Sequence, residues 1–205
     1  MGLFNRKIEN REGLSLVKEI YPIIQDIVKD YFFIETGTFG GSTSVWASTV
    51  FKKVFTVELS EEMYNIVSNK YKYINNICFS QGNSVDFLKT LLPELGNSCV
   101  FWLDAHFSEC GTAGGSQKHT LIDEINTINE YSLYKDFIFI DDFRLICYPW
   151  MQSDNIYWPT ITDVCLELTK GVYSRYTLIM GDCIVSFPEE YKDIFKKDIL
   201  KDLRY

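Results

Sequence analysis

The chain has 205 residues, enough for one domain with a sizeable core, and its 46% hydrophobic and 16% aromatic content marks it as globular rather than disordered. A net charge of −8 argues against a general nucleic-acid binder, whose surface would be basic. No run approaches the roughly 20 apolar residues that cross a bilayer, no signal-type segment follows Arg6, Lys7, Glu9, Arg11 and Glu12, and the six cysteines form no CxxC pair, so a cytoplasmic protein with reduced thiols and no membrane contact is expected.

Repeats and low-complexity linkers are absent, and 1–205 reads as a single domain. Leu14, Val17, Ile20, Ile24, Ile27 and Val28 recur at helical spacing and predict an N-terminal helix over 14–29. The apolar run 31–35 predicts the first strand, 43–51 a helix and 54–58 a second strand. Ser60 is expected to cap a helix over 61–72, with Glu61 and Glu62 in its first turn. A third strand follows at 77–80, then a helix capped by Ser84 and ended by Pro93. Residues 99–104 predict the fourth strand, 119–131 a helix and 137–141 the fifth strand. The stretch 143–158 reads as irregular, and 161–168 as helical. Gly181-Asp182 between 176–180 and 183–187 signals a hairpin. A C-terminal helix over 189–203 is expected, with its lysines alternating with Asp193, Asp198 and Asp202 on a solvated face.

Strand–helix alternation with continuous apolar strands predicts an α/β fold. It is Rossmann-like and doubly wound, a mostly parallel seven-stranded sheet with a C-terminal antiparallel hairpin and a core over 31–187. Such sheets bind ligands at the carboxyl ends of their strands, near the switch in strand order. Polar residues recur at those ends: Glu35, Glu58, Gly82-Asn83-Ser84, Asp104 and Asp141-Asp142. After the first strand runs Glu35-Thr-Gly37-Thr-Phe-Gly40-Gly41-Ser42-Thr43-Ser44, a turn whose glycines allow a sharp bend and close approach of a ligand, and whose hydroxyls could cap the next helix. No Lys or Arg lies between Tyr31 and Phe51, so a ligand with positive charge or hydroxyls suits the turn better than a triphosphate.

These motifs, in this order, resemble the class I S-adenosylmethionine-dependent methyltransferases over roughly residues 31–187. The resemblance implies that Glu35, Gly37, Thr38, Gly41 and Ser42 hold the amino-acid part of S-adenosylmethionine. Glu58, 21 positions beyond Gly37, would take the ribose hydroxyls, beside Leu59. Asn83 and Ser84 would flank the adenine, and Asp104 would also meet the cofactor. A solvated strand end is the plainer reading of Glu58. The turn is not GxGxxG, which disfavours a dehydrogenase.

The nearest resemblance is to metal-dependent O-methyltransferases of the catechol, caffeoyl-CoA and macrocin types. It implies a divalent ion, Mg²⁺ or another, on Asp104, Asp141 and Asp142, where it would relieve the mutual repulsion of three carboxylates and acidify a bound hydroxyl. A strand terminus and a helix cap are the other reading of Asp141 and Asp142, and Asp104 could serve the cofactor without metal. His106 and Asp104 are the catalytic candidates, with His106 as general base. Catechol-type enzymes carry a Lys near this point, whereas Phe107, Ser108 and Glu109 stand here. His106, Cys110 and His119 match no compact zinc pattern. The loop Phe107–Lys118 is a candidate lid. Tyr148–Trp158 could wall an acceptor pocket or serve as core or dimer contact, and Arg144 could bind an anionic acceptor or neutralise Asp142.

The expected function is therefore S-adenosylmethionine-dependent methylation, metal-assisted, of a hydroxyl on a small molecule or sugar, with a homodimer left open. The alternatives are a metal-independent methyltransferase with His106 as base, and a non-catalytic cofactor-binding module.

Overall fold

Period-two alternation in the strands decides which layer each side chain joins. The computed structural model describes residues 15–104, 120–147 and 158–196. In order it runs α1 (Ser15–Val28), β1 (Phe32–Thr36), α2 (Ser42–Ala47), β2 (Val54–Glu58), α3 (Glu61–Lys70), β3 (Ile77–Gln81) and α4 (Ser84–Leu95). Then follow β4 (Cys99–Leu103), α5 (Leu121–Tyr131), β5 (Phe137–Ile140), α6 (Phe143–Cys147), α7 (Ile161–Leu168), β6 (Arg175–Met180) and β7 (Cys183–Pro188).

The seven strands form one sheet in the order β3-β2-β1-β4-β5-β7-β6. The first five in that order are mutually parallel, and β7 runs against both β5 and β6. Strand order reverses between β1 and β4, which makes that crevice the switch point. The expected seven-stranded, mostly parallel sheet and its closing hairpin are both present, with Met180 opposite Cys183 across Gly181-Asp182.

Phe33, Val100, Trp102, Phe137, Phe139, Val185 and Phe187 project to one face, where they pack with Ile20, Ile24 and Val28 of α1 and Ala47 of α2. Ile34, Phe101, Leu103, Ile138, Ile140 and Ile184 project to the other, against Leu88 and Leu92 of α4, Ile125 and Ile128 of α5 and Val164 and Leu168 of α7. Burial on both faces explains why the strands read as unbroken apolar runs.

Several local expectations are corrected. Asn83, not Ser84, caps α4: its side chain accepts the Val85 and Asp86 N–H groups, and Ser84 is the first helical residue. That helix passes Pro93 and stops at Leu95, because a proline in the last turn removes only one backbone bond and Gly96, at φ 57°, turns the chain out. The helix after the glycine turn ends at Ala47 rather than 51: Ser48 and Thr49 turn their hydroxyls back onto the Val45 and Trp46 carbonyls at 2.7 Å. Five residues of the supposedly irregular 143–158 stretch form α6. At the C-terminus, Glu189–Tyr191 is a 3-10 turn and 192–196 are helical. Ser60 does cap α3, accepting the Met63 N–H at 3.3 Å.

Candidate functional site

The rim at the carboxyl ends of β1, β2, β4 and β5 gathers most of the expected residues. Backbone bonds carry the sheet register into it: Gly37 and Thr38 N–H groups reach the Val57 carbonyl at 3.0 and 3.1 Å, Asp104 N–H reaches Thr36 at 3.0 Å, and Asp141 N–H reaches Leu103 at 3.1 Å. Asp104 and Asp141 therefore stand side by side at the tips of neighbouring strands.

Glu58 spans the gap between the glycine turn and the start of α3. Its Oε2 accepts the Phe39 N–H at 2.9 Å and its Oε1 accepts the Ser60 N–H at 2.9 Å. The carboxylate is thus fixed at the β2 tip, between two exposed apolar side chains, Phe39 and Leu59. Phe39 adopts a left-handed backbone, φ 42°, which a side chain of this size rarely does. The bond to Glu58 is what restrains it. Gln81 Nε2 donates to the Leu59 carbonyl at 3.0 Å and ties the β3 tip to the same edge.

Glu35 lies underneath the turn, 2% exposed. Ser44 Oγ and Thr56 Oγ1 both donate to its Oε2, the latter at 2.9 Å, and Thr38 and Thr56 hydroxyls meet at 2.7 Å. With the Thr56 proton committed to Glu35, Thr38 is the donor in that second bond. Burial pushes the Glu35 carboxyl up to about 8, with the hydroxyl donors pulling it back and Asp104 pushing it further up. Glu35 is therefore a mostly neutral brace between β1, β2 and α2 rather than an anion on the surface of the turn.

The glycines divide by cause. Gly37, at φ 90°, makes the bend itself. Gly41, at φ 76°, caps α2 without any side-chain bond, so the expected hydroxyl cap is absent and Ser44 serves Glu35 instead. A Cβ on Gly41 would fall 2.8 Å from Val67 Cγ1 and 3.1 Å from Tyr71 Cε2, so the packing of α3 by itself demands a glycine here. At Gly40 and Gly82 a Cβ would meet nothing within 4 Å. Ser42 and Asn83 are exposed, and Ser84 is buried.

A second buried acid sits below the switch point. Glu124 of α5 is 1% exposed, and neither its Oε1 nor Thr36 Oγ1 makes a hydrogen bond. Burial raises its carboxyl to about 7, the Ser84 hydroxyl tempers the rise, and Asp104 adds to it. Its signal in the sequence was a charged residue on the apolar stripe Leu121, Ile125, Ile128. Thr56 was equally legible as a polar residue in the middle of the buried strand β2.

The metal expectation meets a different geometry. Asp142 has a left-handed backbone, φ 57°, and its carboxylate is paired with Arg144 Nη1. Among the described residues no group of three or more His, Cys, Asp or Glu is arranged to hold a metal ion. The expected trio of Asp104, Asp141 and Asp142 thus does not converge as a cradle. Arg144 neutralises Asp142, one of the two roles expected of it. His106, Cys110, His119, the candidate lid and most of the aromatic stretch lie outside the described residues; Trp158 is buried in the α4–α5–α7 layer.

No family model and no curated protein sequence matches the chain. Its structure is similar to that of the O-methyltransferase TomG of Streptomyces achromogenes, involved in tomaymycin synthesis and solved with SAM. The TM-score is 0.58 at 13% identity, covering 86% of this chain and 82% of that one. An O-methyltransferase from Bacillus cereus in complex with SAH gives 0.58 at 16% identity over 86% and 84%. A Staphylococcus aureus protein assigned as a caffeoyl-CoA O-methyltransferase gives 0.57 at 16% over 89% and 85%. The chain has the fold of a class I methyltransferase. In that fold the rim described above lies at the switch point, with Glu58 on one side of the crevice and Asp104 and Asp141 on the other.

Proposed function

We propose that the chain is an S-adenosylmethionine-dependent methyltransferase acting on a hydroxyl of a small molecule. The observation that carries the reading is Glu58: a carboxylate fixed at the β2 tip by two backbone N–H groups and flanked by exposed Phe39 and Leu59. A carboxylate oxygen accepts more than one hydrogen bond, so each Glu58 oxygen keeps capacity for a ribose hydroxyl. The apolar pair suits a flat base, and the open space over Gly40 and Gly82 leaves room for the rest of the nucleoside. The acidic rim suits a sulfonium cation and would repel a phosphate.

When bound, S-adenosylmethionine supplies an electrophilic methyl group. The chain's part is to hold and orient the two reactants and to take a proton from the acceptor. Glu58, Leu59, Asn83 and Ser84 serve the nucleoside; the turn Gly37–Ser42, braced from beneath by Glu35, serves the amino-acid end; Asp104 faces the charge at the centre. His106, two residues beyond Asp104, takes the acceptor proton. Positioning supplies much of the acceleration in such a two-substrate transfer. Metal assistance is left out of this reading, because Arg144 engages Asp142.

Isothermal titration with S-adenosylmethionine tests the proposal. Wild type should bind one equivalent, and Glu58→Ala should weaken binding by about 1.5–3 kcal/mol, the range for hydrogen bonds to a charged group. No binding by wild type, or unchanged binding by the variant, overturns it. His106→Ala should lower turnover roughly 100-fold, within the usual range for a general base, and leave cofactor affinity unchanged.

A further inference from the structure

Two of the acids expected to share a metal, Asp141 and Asp142, are engaged within the protein, and a guanidinium is paired with the second. Asp141 Oδ1 accepts the Asp142 N–H at 2.8 Å. Asp142, only 8% exposed, pairs with Arg144 Nη1, and the same nitrogen pairs with Asp182 Oδ2 in the hairpin turn. The Asp182 Oδ1 accepts the Arg144 backbone N–H at 2.9 Å, and the Asp182 carbonyl accepts the Phe143 N–H at 2.9 Å. The start of α6 is thus stitched to the β6–β7 turn, and the stitching holds Arg144 between two acids 40 residues apart in sequence. Asp182 was not among the expected ligands; the fold brings it there.

Two little-exposed carboxylates that share one guanidinium nitrogen repel each other unless a cation lies between them. A divalent ion would do this, but it must shed water and move a guanidinium that holds both acids and whose own backbone N–H is bonded to one of them. Asp142 has a left-handed backbone, uncommon for a residue other than glycine, and its carboxylate meets Arg144.

We propose that Arg144 is the resident cation of this rim, balancing Asp142 and Asp182 in place of a divalent ion, so that the site binds no metal of its own. A consequence for the acceptor rests on the methyltransferase reading above. Without an ion to acidify a bound hydroxyl, ionisation falls to a protein base. The acceptor is then a hydroxyl of the phenol class, with a pKa of about 10 as for tyrosine, rather than a sugar alcohol.

Electron paramagnetic resonance with Mn²⁺ as the probe tests the charge claim without any turnover. Wild type should leave Mn²⁺ free at millimolar concentration. Arg144→Met should gain one site at least about ten-fold tighter, since affinity for hard cations follows the count of free carboxylate charges. Arg144→Met with Asp142→Asn should lose it again. One tight Mn²⁺ on wild type that Asp142→Asn removes would overturn the proposal, as would a folded Arg144→Met no better than wild type. Should that variant fail to fold, the guanidinium ¹⁵N signal of wild type decides: unmoved by Mg²⁺ it supports the proposal, displaced by Mg²⁺ it refutes it. S-adenosylmethionine titration of the same samples reports separately on the methyltransferase reading. With chelator present, phenols should be methylated in preference to sugars; sugar methylation that requires Mg²⁺ would contradict the proposal.

Discussion

Two glutamates end neighbouring strands, and their surroundings give them opposite work. Glu58 accepts two backbone N–H groups at the edge of the rim. Glu35, buried beneath the turn, is pushed up to about 8 and is bonded by hydroxyls. A neutral acid and an amide offer the same carbonyl oxygen to Ser44 and Thr56. Glu35→Gln should therefore leave the melting temperature nearly unchanged at pH 4, where folded and unfolded wild type both hold the proton, and raise it progressively relative to wild type as the pH climbs to about 8. Glu35→Ala strands both hydroxyls and should cost about 1–3 kcal/mol for each one left unsatisfied. Chemical denaturation at the two pH values separates these outcomes. The identity of both acids was legible in the sequence. Their division of labour was not, because it depends on the register that sets Glu35 opposite Thr56 and on the turn that brings Phe39 back over Glu58.

At the scale of elements, the central strands were legible because each is a largely apolar run buried on both faces, and the longer helices because their apolar stripes show a helical period. The five-residue α6 has too little length for any period to show, and it is held by Asp182, which stands in the hairpin turn far along the chain. The glycine turn illustrates the same limit. Three glycines in five residues suggested ligand contact, yet Gly41 answers to the packing of α3. Gly41→Ala should cost about 2 kcal/mol or more, from a left-handed alanine together with overpacking against Val67 and Tyr71. The accompanying Val67→Ala should return part of that loss, because it removes the methyl the new Cβ strikes. Urea unfolding of the two single variants and the double variant gives the coupling; strict additivity would mean that the backbone alone requires the glycine.

Across the whole molecule, buried acids set the dependence of stability on pH. Burial raises Glu35 to about 8, Glu124 to about 7 and Asp136 to about 6, each from an ordinary value near 4. The first two lie on either side of the switch point. Asp136 lies at the opposite end of the sheet, where it accepts the Cys99 N–H at 2.6 Å and Arg175 tempers its rise. A group whose folded pKa exceeds its unfolded one holds a proton that the unfolded chain has released. Its stabilisation is complete below the unfolded value and is lost as pH rises to the folded one. Each group contributes at most about 1.4 kcal/mol per pH unit inside its window. All three act between pH 5 and 6, two between 6 and 7, and one between 7 and 8. Exposed acids held low by partners (Asp30 by Lys52, Glu190 by Lys135) work in the other direction but are screened by solvent. The melting temperature should therefore fall from pH 5 to pH 8, most steeply at the acid end. Glu124→Gln should reduce the slope between pH 5 and 7, and Glu35→Gln should reduce it across the whole interval and abolish it between 7 and 8. A melting temperature that instead rises across the same interval would mean that these acids ionise freely in the folded chain and that the polar layer beneath the rim is open to water.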